Sequence, residues 1–485
     1  MSDSDNSIKY TNKSLAKELL EFCRSDSLSQ DGLCEIIARH GWTTNNDSNG
    51  INYAFFIMAC KNKAFDVGSL QCLLEYFPDA INTTNDKGWT PFHAACHNKN
   101  ASLGIIQQLM NAAPRTFQSA TIGGHTPLHI LCCNHDVDEN TAINIVKLLL
   151  EKCPESFHQA DNKGNYPIHY ASSNKSPELC SIVLNAHPGS ERIRNDSGAY
   201  PLYLACIENT LDTVEYLYKL YPDAINQRTN NFYPIHGAIV GLEQRNRPGD
   251  VVEIVKFLLD CDPKVKLQKY GEQSLLRGAC GRKYTDANID AGMRIIETIY
   301  DAHPEAIEDN SFMSDINRFH SQVSSFILGE LMHARQAEDH RQMTTTDEIG
   351  QLPLHRALRN NKRLGCIKLQ FRGNTSAIRT VDRNGSIPLH MACQYHKSPE
   401  VVRYLIDLDP STLRRVDDDD NSILHHACRG ANYDVIIMLL KTHSNVPVWK
   451  RNAQSQLPLH LLFETNEVAD RKYKEYLESI FLLLK

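Results

Sequence analysis

The sequence has 485 residues, of which 41% are hydrophobic and 22% are charged, and its formal net charge is -7. This composition is that of a folded chain and not of a disordered one, and no run reaches the roughly 18 consecutive apolar residues of a membrane-spanning helix. Because the charge balance is acidic and the polar start lacks an apolar signal region, we expect neither a secreted protein, nor a membrane-spanning protein, nor one that coats nucleic acid.

The first segment of the chain predicts a tail followed by two helices. Residues 1–13 are polar and acidic, and we expect a disordered N-terminal tail there. Residues 14–44 contain the amphipathic stretches SLAKELLEFC and LCEIIARH, which predict a helix pair. We expect this pair to cap the N-terminal end of the structure that follows.

A six-residue motif close to Pro-Leu-His-x-Ala-Cys recurs along most of the remaining chain. Copies with the proline begin at Pro91, Pro127, Pro167, Pro201, Pro234, Pro353, Pro388 and Pro458, and eroded copies begin at Phe55, Leu275 and Ile423. Successive starts lie 33 to 41 residues apart in the first seven copies and 35 residues apart in the last four. A period of this length indicates a protein built from stacked repeats.

A second proline lies 12 or 13 residues before most motif starts. These prolines are Pro78, Pro114, Pro154, Pro188, Pro222, Pro263 and Pro410. Between the motif and the second proline that follows it, apolar residues have helical spacing, as at Val146 and Leu149. Each unit therefore predicts a polar turn, a helix opened by proline, a loop, and a second helix that ends near the next proline. The extra residues of the longer units fall in the loop between helices, near 134–140, 241–249 and 282–291.

These units resemble ankyrin repeats, whose signature is T-P-L-H-x-A at a period of about 33 residues. The resemblance covers roughly residues 45–465, and the in-register copies make it specific. It implies an all-α-dominated repeat solenoid, in which stacked helix-loop-helix units with β-hairpin fingers form a curved right-handed array. Only Thr90 and Thr126 supply the capping threonine of the signature. We expect the helices that have another residue there to lack a hydroxyl cap worth about 1 kcal/mol, namely those after Tyr166, Tyr200, Tyr233, Leu352, Ile387 and Leu457.

The repeats divide into two blocks, residues 45–310 and 346–465. Between them, residues 311–345 keep helical spacing without the motif, and both a degenerate repeat and a single interrupting helix fit this pattern. The last residues, 466–485, predict a C-terminal capping helix. A membrane-surface helix is the weaker alternative there, because the segment lacks a basic face.

The fifteen cysteines do not indicate a disulfide framework, because the chain is long and their number is odd. Seven of them recur at one position of the motif, namely Cys60, Cys96, Cys132, Cys206, Cys280, Cys393 and Cys428. A residue repeated on the apolar face of a helix is typical of a small buried hydrophobe. We therefore predict a reducing compartment, the cytoplasm, with the nucleus as the alternative.

Histidine and cysteine three residues apart on one helix, as at His93 and Cys96, resemble metal ligands. Zinc requires about four converging ligands, whereas each pair here occupies the same position of its own repeat. The resemblance to ankyrin repeats implies that this histidine bonds to backbone and ties neighbouring units together. A metal site stays open as an alternative at His425–His426 and at Cys132–His135.

The Asp417–Asp420 run lacks the ligand spacing of a calcium loop and falls at an expected finger tip, so we predict a solvated acidic turn. The sequence contains no phosphate-binding loop, nucleophile elbow, zinc-protease motif or kinase signature. We therefore predict no enzymatic activity, no cofactor and no metal.

The resemblance implies a non-enzymatic scaffold or adaptor, a monomer that binds a protein or peptide in its concave groove and contacts neither nucleic acid nor the membrane interior. In the family, partners contact the finger tips and the exposed parts of the inner helices. Carried over by register, these positions are Asp86, Lys87, Trp89, His97, Asn98, Asn162, Lys163, Asn165, Ser173, Asn174, Thr229, Asn230, Phe232, Arg383, Asn384, Gln394 and Tyr395.

Trp89, Phe232 and Tyr395 are the expected anchors, because aromatic side chains dominate binding hot spots. Packing between adjacent fingers is the alternative role for these three residues. A metal- or redox-responsive regulatory protein, which uses its histidine and cysteine positions, is the alternative function.

Overall fold

The computed structural model describes residues 3–44, 51–243, 248–271, 273–308, 312, 315–338, 344–396, 398–443, 446–464 and 473–484. The chain forms two compact units, Met1–Gly271 and Glu272–Lys485. The division therefore lies earlier in the chain than the interruption that we predicted at 311–345.

The helices of the first unit alternate between two rows. In chain order they are α1 (Asp3–Arg24), α2 (Gln30–Arg39), α3 (Ala54–Lys61), α4 (Val67–Tyr76), α5 (Pro91–His97), α6 (Leu103–Ala112), α7 (Pro127–Cys133), α8 (Glu139–Lys152), α9 (Pro167–Asn174), α10 (Pro177–Ala186), α11 (Pro201–Glu208), α12 (Leu211–Leu220), α13 (Pro234–Gly241) and α14 (Pro248–Cys261), followed by the short strand β1 (Lys269–Tyr270). Each odd-numbered helix packs on the next odd-numbered one, and each even-numbered helix on the next even-numbered one. The odd-numbered helices are thus the inner row and the even-numbered helices the outer row of a solenoid.

The N-terminal segment differs from the prediction of a disordered tail over residues 1–13, because α1 already begins at Asp3. The 22-residue helix contains neither proline nor glycine, and each residue added to an existing helix gains a hydrogen bond at little further cost. In the predicted capping pair, α1 packs on α3 and α2 packs on α4.

The outer helices absorb part of the extra length of the longer repeats. Helices α8 and α14 have 14 residues each, whereas α10 and α12 have 10. The residues that we assigned to inter-helix loops therefore add about one helical turn. The second proline of several units opens a short 3-10 helix directly after the outer helix, as in Pro78–Asn82. The other 3-10 helices of this unit are Thr116–Gln118, Pro154–His158, Ser190–Arg192, Pro222–Asn226 and Val265–Leu267.

The second unit repeats the two-row arrangement after an irregular start. Its elements are the short strand β2 (Gln273–Ser274), α15 (Leu275–Cys280), α16 (Ile289–Ala302), α17 (Ser321–Glu338), α18 (Pro353–Arg359), α19 (Leu364–Gly373), α20 (Pro388–Tyr395), α21 (Pro399–Leu408), α22 (Ile423–Arg429), α23 (Tyr433–Thr442), α24 (Pro458–Glu464) and α25 (Tyr473–Leu484), with 3-10 helices at Pro304–Glu308, Ile316–Arg318, Thr375–Arg379 and Pro410–Arg414. Helices α18, α20, α22 and α24 pack in sequence as the inner row, and α25 packs on α23.

Within the segment 311–345 the structure describes an α-helix of 18 residues, α17. Both α16 and α17 pack against α19, so the repeat that opens at Leu275 belongs to the second unit. Helix α25 lies within the predicted C-terminal capping segment 466–485, of which residues 466–472 and 485 are outside the described residues.

Serine replaces the expected threonine cap in two eroded repeats. Thr90 and Thr126 accept hydrogen bonds from the backbone amides of their third helical residues, as predicted. Ser274 accepts the amide of Arg277 in the same way, and the Ser422 hydroxyl lies 2.8 Å from Nδ1 of His425. At Tyr166, Tyr200, Tyr233, Leu352 and Ile387 no side-chain oxygen caps the helix, as we predicted.

Candidate functional site

Most of the described fingers are tight turns supported by an asparagine, aspartate or threonine side chain. In the first finger, Oδ1 of Asn85 accepts the backbone amides of Lys87 and Trp89 at 2.9 and 3.0 Å. Gly88 has a φ of +76°, and a Cβ atom there would lie 2.9 Å from the backbone nitrogen of Ile122 in the next finger. The same pair of side-chain to amide bonds occurs at Asp161, Asn195, Asp347, Asp382, Asp417 and Asn452. The turns are therefore fixed by local side-chain acceptors.

Backbone hydrogen bonds join neighbouring finger tips within a unit. The amide of Ile122 donates to the carbonyl of Lys87 at 3.0 Å, and the amide of Asn162 donates to the carbonyl of Gly123 at 3.0 Å. Seven predicted contact residues are exposed at these tips, namely Asp86, Lys87, Asn162, Lys163, Asn230, Arg383 and Asn384. The tips thus form an ordered row that presents side chains to solvent.

The motif histidine links each inner helix to the next repeat. In α7, Nδ1 of His129 accepts the amide of Thr126 at 3.1 Å, so the neutral ring carries its proton on Nε2. That Nε2 donates to the carbonyl of Asn165 at 3.0 Å. The same bond to a carbonyl of the next repeat occurs at His93, His169, His355, His390 and His425. Both ring nitrogens are therefore engaged in holding repeats together.

One predicted contact residue, Asn98, belongs to this internal frame. It is 4% exposed, and its amide group donates to the carbonyls of Cys60 and Asn62 at 3.0 and 2.7 Å. Asn134 makes the equivalent bond to the carbonyl of Cys96 at 3.0 Å. Asn98 is thus a link between repeats, and little of it is exposed. An asparagine at the same register in several repeats was the signal that could have indicated this role.

Thr229 and Asn165 are likewise occupied inside the protein. Thr229 is 4% exposed, and its hydroxyl donates to the carbonyl of Gly198 at 3.2 Å. The half-buried Asn165 donates to Oδ2 of Asp161 at 3.1 Å and accepts a bond from Nδ2 of Asn195 at 2.7 Å. Both residues hold fingers in place, since their polar groups are already paired.

Ser173 and Asn174 are half-buried at the end of α9. The Ser173 hydroxyl donates to the carbonyl of His169 at 3.4 Å, and Nδ2 of Asn174 donates to the carbonyl of Cys133 at 3.3 Å. Each retains partial exposure, so both stay within reach of a partner as secondary contacts.

Trp89 lies at the centre of a cluster formed by two consecutive inner helices. Nζ of Lys61 is 4.2 Å from the centroid of the half-buried Trp89 ring, and the His97 ring meets it edge-on at 5.4 Å. Burial lowers the pKa of Lys61, and the charge of Lys87 lowers it further. Burial also lowers the pKa of His97, to which the charge of Lys61 contributes. The indole is thus held from both sides while part of it faces solvent.

A cavity of about 410 Å³ lies beside this cluster, lined in part by Met58, Lys61, His97 and Lys99. Its size is within the range of ligand-binding clefts. Met58 and Lys61 were not among the predicted contact residues. They belong to the eroded repeat that begins at Phe55, and their equivalence to later motif positions was the signal that could have identified them.

The other two predicted anchors differ in exposure. Phe232 is half-buried, with its ring 6.3 Å from that of His236. Tyr395 is 39% exposed, and the guanidinium carbon of Arg359 lies 5.7 Å from its ring centroid. Tyr395 is thus the more exposed of the two rings.

A second polar network that the sequence did not indicate lies between two fingers of the first unit. Nε2 of His125 is 3.0 Å from the hydroxyl of Tyr170 and 3.4 Å from Oδ2 of Asp161, and the Tyr170 hydroxyl donates to Asp161 at 2.6 Å. Burial alone would raise the pKa of Asp161, but hydrogen bonds from Tyr170 and Asn165 lower it. The carboxylate therefore orients Tyr170 on the exposed side of α9.

The acidic run differs from the prediction at its first residue. Asp417 is buried, and its Oδ2 accepts hydrogen bonds from Nε2 of His426 at 2.9 Å and from Nδ2 of Asn421 at 3.1 Å. Burial acts to raise its pKa, yet these bonds hold the pKa well below its usual range. Nδ1 of His426 lies 2.9 Å from Oε1 of Gln394, so this predicted contact residue is part of the same network. Only residues 418–420 of the run form an exposed acidic tip.

The seven in-register cysteines are all buried. Burial raises the pKa of Cys132 to about 12, and Cys133 beside it is exposed.

Among the residues that the structure describes, no group of three or more histidine, cysteine or carboxylate side chains could hold a metal ion. Across the same residues we find no helix with the length and apolar character that crossing a membrane requires.

Two rows of packed helices, joined by ordered fingers and histidine links, define a helical repeat protein. The model of the family described as ankyrin repeats (3 copies) matches residues 56–151, 98–192, 137–230 and 354–452, which together are more than half of the chain. The chain belongs to the ankyrin-repeat family. Ankyrin repeats are generally modules for protein–protein interaction. Comparison with curated proteins gives no match.

Proposed function

We propose that this chain is a non-enzymatic scaffold or adaptor that binds a protein or peptide partner in the groove between its fingers and inner helices. The observation that carries the proposal is the cluster of Trp89, Lys61 and His97 beside an open cavity. Tryptophan is the residue type most enriched in binding hot spots.

The rigidity of the fingers supports the same proposal. Asn85 fixes the turn that carries Asp86 and Lys87, and the backbone bond from Ile122 fixes the position of that turn. Since these tips are ordered before a partner arrives, binding loses little conformational entropy. Side chains at the tips differ between repeats, whereas the histidine and asparagine links persist, so the variable positions are those open to selection for a partner.

We further propose that the protein acts as a monomer in the cytoplasm. Cysteines that serve as packing residues on inner helices, such as Cys96 and Cys132, suit a reducing compartment. These two proposals are separate from the groove proposal.

The test compares partner capture by three forms of the full chain. The groove variant changes Asp86, Lys87 and Trp89 to alanine. The control variant changes Lys147 and Glu151, exposed residues of outer helix α8, to alanine, so that neither variant alters the net charge. Circular dichroism and the melting temperature establish that all three forms fold equally.

A partner retained by the parent chain and the control, and weakened at least about tenfold by the groove variant, supports the proposal. Equal capture by all three forms contradicts it and places the contact outside the first groove.

A further inference from the structure

We infer that the second unit binds an acidic protein segment along a row of arginines on its inner helices. The inference rests on the proposed function and names the chemistry of a partner for the second unit. The arginine row consists of Arg356 and Arg359 on α18 and Arg429 on α22, with Tyr395 on the intervening helix α20.

The three arginines are exposed, and within the part of the chain that the structure describes none of them forms an ion pair with a carboxylate. Other arginines of this unit are paired, as Arg379 is with Asp409. Guanidinium groups without a carboxylate partner, two on α18 and one at the matching position of α22, create a local positive potential, although the whole chain is acidic.

Two contacts orient Arg359 and Arg429 within the row. The guanidinium of Arg359 lies over the ring of Tyr395 at 5.7 Å, and Nη2 of Arg429 donates to Oδ1 of Asn421 at 3.5 Å. Arginine loses less freedom than lysine when it binds a carboxylate, because its planar fork is already oriented. Tyr395 adds an aromatic surface for the apolar part of a bound segment.

Carboxylates fit this row better than the phosphates of a nucleic acid. The fingers of the same unit carry the exposed acidic residues Glu348, Asp418 and Asp419. A continuous polyanion that crosses the row would also approach these carboxylates and be repelled by them. A peptide can place its acidic residues only opposite the arginines.

The spacing of the row predicts the spacing of those acidic residues. Arg359 and Arg429 lie two inner helices apart, and packed helices lie roughly 8–10 Å apart, so the two arginines are separated by roughly 20 Å. An extended chain advances about 3.3 Å per residue, which places the acidic residues roughly six positions apart.

The test uses a fluorescein-labelled peptide of about twelve residues, with two Glu-Glu pairs about six positions apart, and fluorescence anisotropy with the full chain. One variant carries Arg356→Gln, Arg359→Gln and Arg429→Gln. The matched control carries Arg403→Gln, Arg414→Gln and Arg415→Gln, which changes the net charge equally at exposed arginines outside the row. A peptide with glutamine in place of glutamate and a single-stranded RNA of equal length serve as competing ligands.

We expect the row variant to weaken binding of the acidic peptide about tenfold or more and the control variant to change it less than about twofold. Equal weakening by both triple variants would show attraction by bulk charge and overturn the inference. Tighter binding of the glutamine peptide or the RNA would also overturn it. Absence of peptide binding overturns the arginine row alone, because the groove proposal is tested separately with the Asp86, Lys87 and Trp89 variant of the first unit.

Discussion

Nε2 of His129 lies 3.0 Å from the carbonyl oxygen of Asn165, one repeat further along the chain. The opposite nitrogen of the same ring accepts the amide of Thr126, which opens the helix on which His129 lies. One imidazole therefore completes the start of its own helix and fixes the base of the next finger. Through Asn165 it also supports the Asp161 network beside the groove.

Replacement of His129 by alanine leaves a buried amide and a buried carbonyl without partners, since the ring is fully buried. We expect the free energy of unfolding to fall by about 2–4 kcal/mol. Urea unfolding followed by circular dichroism measures this difference. His135→Ala is the control, because His135 is exposed and its replacement should cost less than about 0.5 kcal/mol. Equal costs for the two changes would contradict the role given to His129.

The buried histidines predict a loss of stability in mild acid. Burial lowers the pKa of His93, His129, His169 and His390 to about 4. The unfolded chain takes up these protons near pH 6.5, so protonation favours unfolding as the pH falls from about 6.5 to about 4. Each of the four sites contributes up to about 3 kcal/mol to this loss, and their stabilising effect is fully present above pH 6.5.

Urea unfolding measured between pH 4 and 8 tests this dependence. A conservative His129→Gln variant should show a shallower fall of stability below pH 6.5, because one proton-linked site is gone. A stability that is flat or rises on acidification through this range would show that these rings are not held neutral in the folded chain.

Asn98 offers a test that separates the internal frame from the binding surface. Its amide group donates to a buried and a partly buried carbonyl of the preceding repeat, so we expect Asn98→Ala to destabilise the chain by about 2–3 kcal/mol. The neighbouring exposed residue Lys99 supplies the control, and Lys99→Ala should leave the melting temperature nearly unchanged. If Asn98→Ala retains full stability and loses a partner instead, the original assignment of Asn98 to the binding surface was right.

The adjacent residues Cys132 and Cys133 predict opposite thiol reactivity. Burial raises the pKa of both thiols, but Cys132 is enclosed, whereas Cys133 is exposed at the end of α7 and open to the reagent. We expect 5,5′-dithiobis(2-nitrobenzoic acid) to modify Cys133 in the native chain and Cys132 only after unfolding by guanidinium. Cys133→Ser removes the corresponding native reaction if the assignment is right. Rapid native labelling of Cys132 would revive the redox-responsive alternative.

Much of the fold could be predicted from the sequence, because the determinants are local and repeated. Each motif proline does open an inner helix, from Pro91 to Pro458, and Thr90 and Thr126 do cap theirs. Residues whose role depends on the next repeat could not be assigned in the same way. Asn98 and Asn165 looked like polar surface residues, and only the packing of neighbouring units shows that their amides are enclosed.

The residues of the predicted site also fall into these two groups, those set by local sequence and those set by neighbouring repeats. The exposed tip residues Asp86 and Lys87 follow from turn geometry, which the sequence encodes locally. The contact between Trp89 and Lys61 could not be predicted in this way, because Lys61 comes from an eroded repeat that lacks the motif proline. The burial of Asp417 was missed for a similar reason, since it depends on His426 of the following helix.

The most direct test of the groove proposal uses Trp89 itself as the reporter. A chain with Trp42→Phe and Trp449→Phe keeps Trp89 as its single tryptophan. Titration with the captured partner should shift the Trp89 emission to shorter wavelength and protect it from acrylamide quenching, because binding covers the open side of the indole. Unchanged emission and quenching, at partner concentrations where calorimetry shows full binding, would contradict the account that the groove around Trp89 is the site of interaction.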